Sequence, residues 1–456
     1  MLRFFLCALG LIVLTTAVHA DEWPQYRGPT GNMLTTEKQL PFQWDQKTNI
    51  QWKYKVPGRG WSSPIVSGGK VILTTAVKDH ELKAQQPKQE KPRRQRPNAQ
   101  KGYRRTPPNA IYRWEIHCLE QATGKLLWKK VAIKAKPRMP IHSSNTYASE
   151  TPVTDGKHIY VYFGMMGVVC YDFEGQQLWK KDLGVYPMRA GWGTSSAPVL
   201  LGGLLYVQID NEDESFLVAL DKKTGKQRWR VSRDETSTWG SPVIWKNSKR
   251  TELVTGGNKK TRSYDPASGK LLWELGMGEG GGRSPNSATP AGDVLYVGNE
   301  ERNKGRPSDG GGVLFAVKAG ALGDITPENG KSTSAGVLWS AKKAGCDMAC
   351  PLVYRGHVYT LRRRIGLVNC YNAKTGKLAY QERLPGANAF WASPWAYDGK
   401  IFCLDSTGTT HVLKAGPKFQ QLAANRLGEK CWATPAIANN TVLLRSINYL
   451  YCIKSK

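Results

Sequence analysis

Four tryptophans, Trp61, Trp239, Trp391 and Trp432, each stand three residues before a proline. Indoles repeated at one position suit stacking on a flat or apolar ligand better than bond-making chemistry. The pattern extends beyond them. A small residue followed by proline occurs eight times, at Ser63-Pro64, Thr151-Pro152, Ala197-Pro198, Ser241-Pro242, Thr289-Pro290, Cys350-Pro351, Ser393-Pro394 and Thr434-Pro435. Two before the proline, seven of the eight residues are Ser, Gly or Ala, and the exception is Glu150. A lone carboxylate among small residues has two readings: a ligand for calcium or another cation, or an ion-pair partner for an arginine such as Arg189. The tryptophans also have two: wedges packed between neighbouring elements, or an aromatic funnel at the mouth of a binding site. Arg59, Arg138, Arg189 and Arg283 come from the same stretches and make an anionic ligand the natural partner.

Other reactive residues point to less. The seven histidines are scattered, with no His-Glu-x-x-His pair. "GMGEGG" (276–281) satisfies Gly-x-Gly-x-x-Gly but opens no helix, and neither a nucleophile elbow nor a P-loop is present. No zinc-finger or RNA-binding signature occurs, so sequence-specific nucleic-acid binding is not expected. Cys118, Cys170, Cys370 and Cys452 recur at one strand position that elsewhere holds Ala219 and Ala316, and they read as packing thiols, as does Cys403. The spacing of Cys346 and Cys350 leaves a disulfide open. "DNEDES" (210–215) reads as a solvated turn or, alternatively, a calcium site.

The elements that hold these residues are repeats. The small-Pro pairs recur at 41 to 48 residues, except for two intervals stretched to 61 and 88 by insertions. A second phrase follows in register, as in "CLEQATGKLLW" (118–128), "ALDKKTGKQRW" (219–229) and "CYNAKTGKLAY" (370–380). It reads as a strand, a glycine-bearing hairpin turn and a strand carrying Trp or Tyr. Four short strands per period of this length is a propeller blade. The fold class is therefore all-β, an eight-bladed β-propeller of four-stranded antiparallel blades. The last blade, "CWATPAIANNTVLLRSINYLYCIKSK" (431–456), lacks its tryptophan-bearing strand. "NIQWKYK" (49–55) precedes the first blade without a hairpin partner. The N-terminal strand is expected to complete the C-terminal blade and leave no open edge.

The phrase A-x-D-x-x-T-G-K-x-x-W resembles the repeat of the pyrroloquinoline-quinone (PQQ)-type propellers, which are eight-bladed. "WPQYRGPTGN" (23–32), "YASETPVTDGKHIYVYFG" (147–164) and "GTTHVLKAGPKFQQLAANRLGE" (408–429) look like the exported PQQ-like repeat proteins of planctomycetes and related bacteria, usually described by likeness to the outer-membrane assembly factor BamB. The resemblance covers essentially the whole mature chain and is specific for fold rather than function. The dehydrogenases of this superfamily add a vicinal disulfide against the quinone, a calcium held by Glu, Asn and Asp, and a catalytic Asp. This chain has no adjacent cysteines, and its counterparts near the mouth are Glu150, Asn286 and Asp347, from blades two, five and six. No catalytic residue, bound PQQ or metal is expected. A PQQ- and calcium-dependent periplasmic dehydrogenase is the alternative.

Residues 1–20 read as a signal peptide, with Arg3 before an apolar run and "VHA" before Asp21. An N-terminal arm (21–48) and the propeller (49–456) follow. No transmembrane segment is expected. The product is exported, periplasmic or secreted, and monomeric. The formal net charge is +29, and residues 78–113 hold 11 Lys/Arg against 3 Asp/Glu. Residues 78–110, rich in Pro, Gln and Lys/Arg, read as a disordered basic insertion between strands two and three of the first blade. "NEERNKGRPSDGGG" (299–312) fills that slot in blade five and "RRR" (362–364) in blade six. The loops entering each blade and those between strands two and three share one face. That face is expected to be basic and aromatic, and to bind an envelope protein or an anionic envelope polymer.

Overall fold

A computed structural model of the chain describes residues 22–82, 105–277, 286–300, 302–303, 306–307, 312–346, 348–363 and 366–455. The expected leader, Arg283, Asp347 and most of the basic insertion lie outside these residues. Eight antiparallel sheets of four strands follow one another around a central channel. Each blade begins with a short strand at the channel and ends with an outer strand. Blade 1 comprises Ile65–Ser67, Lys70–Glu81, Ala110–Glu120 and Leu126–Ala135. Its second and third strands run further than the sequence suggests. Lys78 pairs with Tyr112 and Glu81 with Ala110, so both ends of the expected disordered segment are ladder. Arg113, which contacts Asp79 and lies 3.0 Å from Glu115, offsets the charge there.

Blade 8 is completed from the other end of the chain. Ile50–Lys55 pairs antiparallel with Tyr449–Lys454, next to Thr441–Arg445 and Ala436–Ala438. The closing strand also makes the contact that joins ordinary blades. Trp52 Nε1 donates to Gln121 O (2.8 Å), and its ring covers Gly124, where a Cβ would come within 2.5 Å of the indole. Gly124 has φ +73°, so the turn itself also selects glycine. The same clasp carries Trp128 to Phe173 O, Trp179 to Lys222 O, Trp229 to Pro266 O and Trp339 to Ala373 O. The paired Gly and Trp of T-G-K-x-x-W thus lock successive blades. Blade 4 departs from the pattern. Its Trp273 bonds Glu252 (2.6 Å), and Gly323–Asp324, from an insertion in blade 5, adds a fifth, parallel strand to its edge.

The small-Pro pairs form a second ring at the channel. Backbone N–H groups donate to side chains one blade on: Ser63 to Thr151 Oγ1 (3.0 Å), Ala197 to Ser241 Oγ (2.9 Å), Ser241 to Ser287 Oγ (2.8 Å). The ring continues from Ser287 to Cys350 Sγ (3.3 Å), Cys350 to Ser393 Oγ (3.1 Å) and Ser393 to Thr434 Oγ1 (3.0 Å). Inner strands have no neighbour across the channel, and these bonds satisfy donors that would otherwise be orphaned.

The N-terminal arm fills part of the channel. Trp23 pairs with Val66 of blade 1, Thr154 N–H of blade 2 donates to Pro24 O, and Asn32 exchanges bonds with Val353 of blade 6. Leu34 bridges to Ala396 of blade 7, and Trp44 N–H reaches Asn425. Arg27, 1% exposed, donates to Ala288 O (2.8 Å), Thr289 and Pro351 O. Tyr26 OH lies 3.5 Å from Ser393 Oγ and 3.8 Å from Cys350 Sγ.

Candidate functional site: an indole-walled mouth closed from below

A cavity of about 550 Å³ opens where the blade-entry loops converge. Strand pleating decides what lines it. Successive side chains point to opposite sides, so residues one and three before each proline face the channel and the residue between them does not. All eight residues at the third position line the cavity: Trp61, Ser149, Ser195, Trp239, Ser287, Met348, Trp391 and Trp432. At the position next to proline, Ser63, Thr151, Ala197, Ser241 and Thr434 line it as well. Thr289, Cys350 and Ser393 do not, because Arg27 and Tyr26 occupy the channel beside them. Tyr26 is therefore part of the floor.

The wall is aromatic. Trp391 and Trp432 stack at 4.0 Å with 9° between planes, and Trp61 stacks on Trp432 at 5.0 Å. Arg363 lies over Trp391 (4.9 Å) and lines the cavity. Lys430 lies over Trp432 (5.5 Å). Opposite these blades, Trp192 packs on Trp239 (5.4 Å) and edge-on to His142 (6.2 Å). Trp61 Nε1 donates to Ser144 O and Trp239 Nε1 to Gly193 O, which fixes both rings against blade 2 and blade 3 loops. The four expected tryptophans are half-buried, bridging blades and facing the cavity at once. Trp192, His142, Asn145 and Tyr26 escape the sequence reading, since none stands at the repeated position.

Several expectations need correction. Glu150 is not in a small-residue channel. At the middle position it turns inward to the blade packing, is 3% exposed, and accepts from Thr194 Oγ1 rather than from Arg189. Burial pushes its carboxyl up to about 7, against the pull of the Thr194 hydroxyl. Arg189 is exposed on a short 3-10 turn, Arg189–Gly191. Neither it nor the exposed Arg59 lines the cavity; among the described residues Arg363, from the "RRR" loop, is the arginine that does. Asn286 is buried at the next blade interface, where Nδ2 donates to Cys346 O (2.8 Å). "DNEDES" is solvated only at 212–214. Asp210 is buried and ion-paired with Arg233 (2.8 Å), and Gln208, Thr238 and Thr255 complete the network. Cys346 and Cys350 are both buried and are not joined by a disulfide. Burial raises Cys118, Cys170, Cys370 and Cys452 to about 12, as befits packing groups.

Of the three residues expected to hold a calcium-bound quinone, the two described, Glu150 and Asn286, do not fit it. Glu150 and Asn286 both face away from the cavity and are spent on Thr194 and Cys346. Among the described residues, no three His, Cys, Asp or Glu side chains group as metal ligands. The site is instead rich in donors and aromatic surface, and among the described residues none that lines it is Asp or Glu.

Fold and site together define a closed eight-bladed propeller with a one-ended pocket at its axis. The chain belongs to the family described as "Outer membrane protein assembly factor BamB", whose model matches residues 113–360. The tetrathionate hydrolase of Acidithiobacillus ferrooxidans is 24% identical over 246 residues, 47% of this chain and 43% of that protein. This chain therefore matches less than half the length of that curated relative. BamB from Moraxella catarrhalis superposes with a TM-score of 0.54 at 13% identity, over 75% of this chain and 89% of that one. The quinohemoprotein alcohol dehydrogenase of Comamonas testosteroni superposes at 0.58 and 12%, over 97% and 82%. Such identities show a shared fold and no more. No helix among the described residues is long and apolar enough to cross a membrane.

Proposed function

We propose that this is an exported, non-catalytic binding propeller of the cell envelope, whose basic, aromatic mouth holds an anionic partner. The carrying observation is the cavity itself: five indoles and Arg363 around a pocket that no carboxylate lines among the described residues. A pocket plugged from one side by Tyr26 and Arg27 suits capture of a protruding group. Among the described residues the lining offers no carboxylate, and His142 is its one imidazole. Fluorescence anisotropy with a labelled acidic polysaccharide and a labelled acidic envelope peptide tests the reading. Saturable binding that weakens in Trp391→Ala/Trp432→Ala supports it. Absence of binding to either probe, with the fold intact, overturns it.

The dehydrogenase reading is carried by the superposition on a quinohemoprotein alcohol dehydrogenase over nearly the whole chain. It requires one-to-one, calcium-dependent binding of PQQ. Calorimetric titration decides: binding lost in Glu150→Ala would promote the enzyme.

A further inference from the structure

We infer that the cavity floor is a receptor for the carboxylate-bearing end unit of an acidic saccharide. This rests on the reading of the mouth as an anion-binding site and narrows it to one ligand chemistry. Thr151, Ser241, Ser287 and Thr434 line the cavity and are each at most 7% exposed. Each hydroxyl oxygen accepts a backbone N–H from the preceding strand or loop. No acceptor for their own O–H protons occurs among the described residues. A hydroxyl with its lone pair engaged by an N–H and its proton uncommitted is a polarised donor. Four of them ring a pocket that no carboxylate lines among the described residues.

The surroundings share this polarity. Ser144 N–H donates to His142 Nδ1 (3.1 Å), which places the proton of the neutral imidazole on Nε2, one more donor at the mouth. Trp432 stacks on Trp61 and Trp391, which leaves its edge, the positive side of an aromatic quadrupole, for the cavity. Behind the wall, Arg445 is fully buried and bonds Ser62 O (3.0 Å) and Oγ (2.6 Å). No carboxylate lies within ion-pair distance of it among the described residues.

The same bookkeeping separates a saccharide from a peptide. Three mouth carbonyls already accept a bond each: Ser144 O and Gly193 O take indole protons, and Trp192 O takes Asn145 Nδ2 (2.8 Å). A peptide brings an N–H donor with every residue, and each must compete for the acceptor sites that remain or be desolvated without a partner. An acidic sugar brings carboxylate, ring and bridging oxygens, which only accept, and hydroxyls that rotate to either role. Its C–H face packs on an indole, and Trp61 has one ring face without an aromatic neighbour among the described residues.

Tryptophan fluorescence and calorimetry with D-glucuronate, D-glucose, trigalacturonate and an acidic hexapeptide test the inference on the full chain. Glucuronate and trigalacturonate should bind one-to-one, about tenfold or more tighter than glucose, as expected for one charge-assisted hydrogen bond. Trigalacturonate tighter than glucuronate would identify a chain end as the source; equal affinity would identify the free acid, and both support the site. Ser241→Ala/Ser287→Ala should lose this preference, and Thr434→Ser, which keeps the hydroxyl, should retain it. If the double variant does not fold, Trp61→Leu should weaken both uronates. Glucose binding as tightly as glucuronate, the hexapeptide binding more tightly, or a folded double variant with unchanged preference would each overturn the inference. A polymer that still binds under those outcomes leaves the broader function standing; loss of all anion binding removes both.

Discussion

Glu150 shows how a single side chain departs from its neighbours. The folded protein keeps its proton up to about pH 7, because burial penalises the carboxylate; an unfolded chain releases it near the ordinary 4.5. Between those values the folded state binds more protons, so stability falls as pH rises and levels off above about 7. The full effect is on the order of 3 kcal/mol. Glu150→Gln keeps an acceptor for Thr194 and removes the titration. We expect the variant to match the parent near pH 4.5 and to exceed it by that amount near pH 8, read by denaturant unfolding across the range. Parallel curves would reject the buried, protonated assignment. The sequence marks Glu150 as unusual but not its direction. Only the pleat, which sends residues one and three before the proline to the channel, shows that it faces Thr194. His142 escapes for the opposite reason. It lies in a long blade-entry loop, and periodicity says nothing about where a loop side chain ends.

At the scale of elements, the clasp and the arm hold the ring shut. Trp52 does for blade 8 what Trp128 and Trp179 do between ordinary blades. Trp52→Ala should therefore cost about 3–5 kcal/mol, as for other buried Trp truncations, and release the N-terminal strand. Trp391→Ala, half-buried at the mouth, should cost about 1–2 kcal/mol, mostly a stacking pair. Comparing the two by chemical denaturation, with protease sensitivity near residue 49, separates closure from wall; equal costs would contradict the distinction. Arg27→Met retains the stem but deletes the donors to Ala288 O and Pro351 O. Leaving Ala288 O buried without that partner should cost about 1–3 kcal/mol. It should also weaken ligand binding, because Tyr26 loses its anchored neighbour and forms the floor. Unchanged affinity and stability would remove the arm from the site. Closure was legible in advance, since a missing outer strand at one end and a spare tryptophan strand at the other leave one solution. The plug was not. "WPQYRGPTGN" has neither helix nor strand period, and its order comes from partners in blades 1, 2, 5, 6 and 7. The fifth strand of blade 4 was hidden likewise, since two residues, Gly323–Asp324, pair with a blade remote in sequence.

Across the whole molecule, two kinds of attraction for anions act at different ranges. The net charge of +29 favours the approach of polyanions from a distance. The cavity acts at contact, through buried hydroxyls and half-buried indoles that bulk ions reach poorly. Salt distinguishes them, because screening shortens from about 14 Å to about 4 Å between roughly 0.05 M and 0.5 M. Affinity for a long acidic polysaccharide should fall by about tenfold or more over that range, since each exposed Lys or Arg contact is lost to counterions. Affinity for a single uronate should fall by less than about threefold, because its carboxylate is met by donors at most 7% exposed. Anisotropy and calorimetry at matched pH provide both numbers. If the monomer proves as salt-sensitive as the polymer, its site is the exposed basic surface, where Arg59 and Arg189 stand. If neither responds, recognition rests on the indoles alone, and the hydroxyl ring serves only to fasten one inner strand to the next.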